Sequence, residues 1–257
     1  MASDKRAKYF SVDAFSVLAA AEAGNWWFRS RNRLILWTLD RYCQPIGSFL
    51  EIGCGTGFVL EGVHRAYGEA KLFGSEYFEE GLNFARERVP SAEFFRLDAT
   101  QMTDVGVFDV VGAFDVLEHI DEDERVLSNV FNAIKAGGFL IVTVPQHRWL
   151  WSPVDDYACH VRRYTRGELV GKIKAAGFDV VQVSSFVSLL LPLMWISRLL
   201  SRTKSVEPMS EFSIPGWLNR VLEAVMSLER RLIAWGLRFP AGGSLIVVGR
   251  KNRDSAQ

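Results

Sequence analysis

The chain has 257 residues, 49% of them hydrophobic, and its 30 Lys+Arg balance 30 Asp+Glu to a formal net charge of +0. That length makes one large domain, or one domain with a cap, and that apolar content excludes a disordered chain. The charge balance excludes the bulk electrostatic footprint of a nucleic-acid binder. Cys43, Cys54 and Cys159 are too scattered for a C-x-x-C metal cluster or a disulfide framework.

The opening MASDKRAKYFSVDAF is charged and lacks the apolar run of a secretory signal, so a cytoplasmic setting is expected, extending at most to the inner face of a membrane. Helices are predicted near 11–22 and 25–42. An apolar strand near 48–52, carrying Glu51, runs into Gly53-Cys54-Gly55-Thr56-Gly57 and then a helix near 57–67. Glycines permit positive φ and close approach of a ligand. The free N–H groups of a helix start face a polar or anionic group. This is a turn for a nucleotide-like cofactor, and its spacing narrows the choice. Phe58 stands where the dinucleotide fingerprint wants a small residue, and no Lys follows Gly57 as a P-loop requires. A nicotinamide oxidoreductase is thereby disfavoured.

A strand near 71–76 ends in Glu76, followed by Tyr77. That acid lies roughly 20 residues beyond the glycines, the interval at which an acid reaches ribose hydroxyls. After a helix near 79–89, a strand near 93–97 runs into Asp98-Ala99. A strand near 108–114 ends at Phe114 and continues as Asp115-Val116-Leu117-Glu118-His119. Then come a helix near 122–135, a strand near 138–144, a helix near 166–176, and strands near 178–185 and 244–250. Alternating strands and helices predict a mostly parallel sheet, with these acids at the carboxyl ends where open α/β sheets bind ligands.

The turn and its acids resemble the motifs of class I S-adenosylmethionine-dependent methyltransferases, over roughly residues 25–186 and 243–251. The resemblance implies a Rossmann-like α/β fold with seven strands, the last two antiparallel at one edge. It implies an enzyme that moves a methyl group from S-adenosylmethionine. Its cofactor site would comprise Glu51, Gly53, Cys54, Gly55 and Gly57. Glu76 would serve the ribose with Tyr77 beside it, and Asp98 the adenine amine with Ala99 beside it. Phe114, Asp115 and Leu117 would wall the methionine moiety. In related enzymes a helix before the first motif closes over the cofactor, and ubiquinone-pathway O-methyltransferases carry a Trp-Trp pair near the N-terminus. Residues 1–46 are therefore expected as a helical cap in which Trp27 covers the cofactor and Arg29 or Arg31 meets its carboxylate. The other reading of Trp26-Trp27-Phe28-Arg29-Ser30-Arg31 is core aromatics with a solvated arginine face.

Methyl transfer needs position and, for an O–H or N–H acceptor, a base. The candidate bases are His119, His147 and His160, all in loops after strands; His64 lies in a helix and reads as structural. At spacing i, i+3, i+4, Asp115, Glu118 and His119 would share one helical face. Ubiquinone-pathway enzymes have E-V-x-E-H where this chain has D-V-L-E-H, which implies a divalent cation that acidifies a hydroxyl; the alternative is an acidic helix start without a metal. Trp149–Tyr164 reads as a substrate-side loop, with Arg162 and Arg163 either holding an anionic acceptor or pairing with Asp155 and Asp156.

The core is thus expected over 47–186 and 243–257, with an insertion over 187–242. In that insertion the apolar run Phe186–Ile196 is too short to span a membrane, which takes about 20 residues. Arg198, Arg202 and Lys204 follow it, and Trp217–Phe239 has the periodicity of an amphipathic helix. The insertion is a lid, a peripheral membrane contact or a homodimer element. The acceptor is read as small or lipid-like and methylated on oxygen. The alternatives are N- or S-methylation, or a non-catalytic cofactor-binding or membrane-associated protein on the same fold.

Overall fold

The computed structural model describes residues 14–201 and 214–253; Arg202, Lys204 and the first residues of the helix expected from 11 lie outside them. One seven-stranded sheet organises the chain, in the order β3-β2-β1-β4-β5-β7-β6. Its strands are β1 (Ser48–Ile52), β2 (Lys71–Glu76), β3 (Glu93–Arg96), β4 (Phe108–Phe114), β5 (Ile134–Pro145), β6 (Asp179–Phe186) and β7 (Ser244–Arg250). All neighbours pair in parallel except β7, which runs antiparallel between β5 and β6. The expected Rossmann-like class I fold is present.

Burial on both faces explains the near-continuous apolar strands. Along β1 the side chains alternate. Leu50 and Ile52 join a core with Val126, Leu127 and Val130 of α5 (Asp123–Ala133) and with Leu169 and Ile173 of α7 (Arg166–Ala175). Phe49 joins the opposite core with Ile35 and Leu39 of α2 (Trp26–Tyr42) and with Leu60 and Val63 of α3 (Phe58–Ala66). Met226 and Ile233 of α9 (Gly216–Ala234) close that second core.

Register lines up the candidate residues along one edge. Ile52 pairs with Ser75 and with Ala113, and Glu76 pairs with Arg96. The chain beyond β1, β2, β3 and β4 therefore emerges side by side. Two helices precede the sheet. α1 (Ala14–Glu22) lies near α4 (Glu79–Arg88), and α2 packs on α9. Asn219 of α9 accepts from the Trp26 N–H at 2.7 Å and donates to the Gly24 carbonyl at 2.6 Å.

Local structure departs from the sequence expectation at three places. Asp115 has φ +57, and only a short 3-10 turn over Leu117–His119 follows, so the D-V-L-E-H run is not a regular helical face. The described residues of the insertion form α8 (Leu191–Ser201) and α9, and Gly236 at φ +98 stops α9 short of Phe239, which bridges to Ser185 instead. A five-residue helix, α6 (Pro153–Tyr157), stands in the loop read as substrate-side, begun by the capping box of Ser152 and Asp155.

Candidate active site

The glycine turn is built for close approach. Gly53, Gly55 and Gly57 all have left-handed φ, of +64, +53 and +78. A Cβ on Gly53 would lie 2.5 Å from Val116 Cγ2, so the chain after β4 can pack there only against glycine. At Gly55 the nearest atom to such a Cβ is Phe15 Cε1, 4.0 Å away, so this glycine faces an open cradle roofed by α1. The roof is pinned at its end. The buried Glu22 carboxylate accepts from Thr56 Oγ1 at 2.6 Å and from Arg88 Nη1 at 2.7 Å.

Two buried acids border the cradle. Glu76 Oε2 accepts from the Gly55 N–H at 3.1 Å, and its Oε1 accepts from the N–H groups of Tyr77 and Phe78 at 2.7 and 3.2 Å. Burial nonetheless raises its pKa above the ordinary carboxylate range. Glu51 is 3% exposed, and its Oε2 has no partner. Burial pushes this carboxyl up to about 8, against the pull of Arg31. Cys54 is buried beside them, its thiol pushed up by burial. Further along the edge, Asp98 accepts from Thr100 N and Oγ1 at 3.0 and 2.7 Å and so caps the turn that carries Ala99. Tyr77 is exposed, with the Arg96 guanidinium 5.5 Å from its ring centroid. Polar acceptors around an open glycine floor fit a nucleoside that offers hydroxyls and a positive charge.

Beyond β4 lies a second cluster. Arg31 sits 4.5 Å from the Trp27 ring centroid and ion-pairs with Asp115, which also accepts from Thr143 Oγ1 at 3.2 Å. Phe114 and Leu117 are buried at either side of Asp115. With its carboxylate engaged by Arg31, Asp115 does not join Glu118 and His119. Instead Glu118, His119 and His160 bring one ligand atom each within 4.8 Å of one another. Glu118 is 0% exposed and neither of its oxygens has a partner. Burial first, and Asp115 second, raise its pKa well above the usual range. Burial and the neighbouring His160 ring, 4.7 Å away centroid to centroid, lower His119 to about 4.

His160 is held from behind. Its Nδ1 lies 2.8 Å from Asp155 Oδ1, and Asp155 also accepts from Arg163 Nε and Nη2 at 2.7 and 3.0 Å. Against the cost of burial, those hydrogen bonds keep the Asp155 carboxyl well below the ordinary range. Asp155 was legible only as a partner for arginine; its hold on His160 crosses α6. His147, at φ +64, stacks on Trp149 with an unpartnered Nε2 and stands apart from the His119–His160 pair. Burial and Arg163 lower its pKa. His64 lies on α3 near Ser91 Oγ, at 3.4 Å. Arg163 is committed to Asp155 and Arg162 to Asp123, at 2.8 Å, while Asp156 accepts from Trp151 Nε1. Arg29 is bound to Glu223 of α9 rather than turned to the cradle. Glu22, Thr56 and Arg88 were missed as a set, because nothing in the sequence couples residues 34 and 66 positions apart.

A family model for a methyltransferase domain matches residues 50–140. A probable S-adenosylmethionine-dependent methyltransferase of Mycolicibacterium smegmatis is 30% identical over 164 residues, 61% of this chain and 60% of that protein. The ubiquinone biosynthesis O-methyltransferase of Rhizobium leguminosarum is 26% identical over 157 residues, 51% of this chain and 60% of that one. The chain thus spans about 60% of the length of the curated relatives it matches. The crystal structure of the cyclase SpnF superposes with a TM-score of 0.63 at 19% identity, covering 92% of each chain, which is a likeness of fold alone.

Proposed function

We propose that this chain, a member of the class I S-adenosylmethionine-dependent methyltransferase family, transfers a methyl group from S-adenosylmethionine to an oxygen of a small or lipid-like acceptor. The observation that carries the reading is the left-handed glycine cradle bordered by the buried Glu76 and Glu51. S-adenosylmethionine, when bound, supplies a methyl group on a positively charged sulfonium. Glu76 accepts from ribose hydroxyls, and Asp98, with Ala99, meets the adenine. Glu51, whose Oε2 has no other partner, faces the cofactor's positive charge. Trp27 and the turn of Phe114, Asp115 and Leu117 cover the methionine end, with Arg31 beside them.

The chain's remaining task is to position the acceptor and remove its proton. His160 suits proton removal best, because Asp155 fixes its Nδ1 and leaves Nε2 as the basic atom, the logic by which a carboxylate orients a histidine base. His119 is its neighbour, and His147 is the separate candidate. Exchanging His160 for Ala is expected to lower turnover ~10²–10⁴-fold while cofactor affinity stays nearly intact. The assay is transfer of a labelled methyl group into metabolite and membrane-lipid extracts. Unchanged turnover in the His160 and His147 variants alike removes both as bases, and incorporation only into amine or thiol products moves the acceptor to nitrogen or sulfur.

The unpartnered Glu118 oxygens favour a second reading of the same cluster, in which Glu118, His119 and His160 hold a divalent cation that acidifies the acceptor hydroxyl. Carboxylate and imidazole donors suit such an ion. Loss of turnover on chelation, restored by added Mg²⁺ or Mn²⁺, would support it, and indifference to chelators would end it.

A further inference from the structure

The described residues of the insertion, 187–201 and 214–242, carry an exposed apolar surface that methyl transfer does not use. α9 turns Met226, Glu229 and Ile233 inward. On its other side Trp217, Val221, Ala224, Leu228, Arg231 and Trp235 follow at steps of four and three residues, which keeps them on one helical face, and all six are exposed. Trp217 is 66% and Trp235 82% exposed, with Val221 and Leu228 at 51% and 50%. An apolar stripe of this kind on a water-facing helix marks an interaction surface. α8 extends it. The N–H groups of Ser188 and Leu189, just before α8, donate to Glu229 Oε2 at 2.7 and 2.8 Å, and α8 then exposes Leu193, Trp195 and Ile196. Leu190, by contrast, belongs to the core. α8 also packs against the Arg148–Leu150 turn next to His147, so α8 borders the candidate site.

Charge selects the occupant. Both acids of α9 are turned away from the stripe: Glu223 takes Arg29 and Arg33 of α2, and Glu229, 0% exposed, takes the backbone amides. The exposed charges on α9 and just beyond it are Arg220, Arg231 and Arg238. We propose that this face lies in the interfacial plane of an anionic lipid bilayer. Its tryptophan rings would sit at the boundary of water and acyl chain, and its arginines would meet the headgroups. No helix among the described residues is long and apolar enough to cross a membrane, so the contact is lateral. A second copy of the chain is the poorer occupant, because pairing two such faces sets arginine against arginine, whereas anionic lipid complements them.

Co-sedimentation with vesicles of phosphatidylcholine alone, and of phosphatidylcholine with phosphatidylglycerol, tests the proposal. Roughly fivefold per arginine at an anionic surface predicts a preference for the anionic vesicles on the order of a hundredfold. The combined exchange Trp217→Ser, Leu228→Ser, Trp235→Ser should abolish binding with the circular dichroism spectrum unchanged, since all three side chains are exposed. Arg220→Glu, Arg231→Glu, Arg238→Glu should remove the anionic preference. Absent or lipid-indifferent binding overturns the proposal. So does a concentration-dependent dimer in ultracentrifugation that the serine variant dissolves. Calorimetric affinity for S-adenosylhomocysteine, measured on the same variants, reports on the cradle separately.

Discussion

Glu51 is the residue through which the cradle's electrostatics can be measured. Folded, its carboxyl titrates near 8; its ordinary value is 4.5. The folded protein therefore holds this proton more tightly than the unfolded chain. Stability from Glu51 is full below about pH 4.5 and is lost as pH rises towards 8. Glu51→Gln keeps the shape of the neutral acid and cannot ionise. Between pH 5 and pH 8, at ~1.4 kcal/mol per unit, the variant should gain roughly 3 kcal/mol on the wild type. Any fixed cost of the amide cancels in that difference. Urea unfolding at several pH values supplies the curve. A cationic cofactor beside Glu51 should also favour its ionised form. Binding of S-adenosylmethionine at pH 7 should then release up to about 0.9 proton per site, read as a dependence of calorimetric heat on buffer ionisation enthalpy. That release should vanish in the variant. A stability difference that does not change between pH 5 and pH 8 would refute the reasoning, because it would mean that Glu51 is already charged in the folded state.

The other tests of the cradle are more direct. Glu76→Ala should weaken S-adenosylhomocysteine at least tenfold, since a hydrogen bond to a buried charged group is worth roughly 1.5–3 kcal/mol; unchanged affinity by titration calorimetry would remove it from the cofactor site. Gly55→Val should do worse, because φ +53 strains a β-branched residue by roughly 1–3 kcal/mol and its side chain would stand in the open cradle. Its binding should disappear while the far-UV circular dichroism stays that of the wild type.

The fold was legible because each level of the sequence agrees with the next. Apolar runs bounded by glycines gave the strands, and Glu51, Glu76 and Asp98, at or just beyond the ends of β1, β2 and β3, fell at one edge because parallel strands all end there. The D-V-L-E-H run was less legible, since its spacing suits a helix that the backbone does not form. Asp115 takes φ +57, and Arg31, 84 positions earlier, ion-pairs with its carboxylate. His160 replaces it beside Glu118 and His119 because the capping box of Ser152 and Asp155 turns the chain through α6. Local spacing carries no information about a partner delivered by another loop. The amphipathic helix in the insertion was legible too, but its periodicity could not tell an inward face from an outward one. That distinction came from α2, whose Arg29 and Arg33 select the side bearing Glu223.

The cradle and the acceptor side obey different constraints. Gly53 cannot bear a Cβ beside Val116, and Gly57 would place one 3.0 Å from Ala85 Cα, so the glycine turn is locked by the close packing of the chain after β4 and of α4 against it. The proposed acceptor side would be assembled from Asp155, His160, Trp149 and the 115–119 turn, in a loop and short turns that the sheet does not dictate. The same fold in the cyclase SpnF carries a different named activity, as expected where function resides in a grafted site. Trp149 and Trp151, in the loop read as substrate-side, are exposed, and the turn that carries Trp149 packs against α8. Arg162 and Arg163 are already neutralised by Asp123 and Asp155, so neither offers a compact anion an unpaired charge. Those pairings agree with the proposed small or lipid-like acceptor better than with one held by its negative charge.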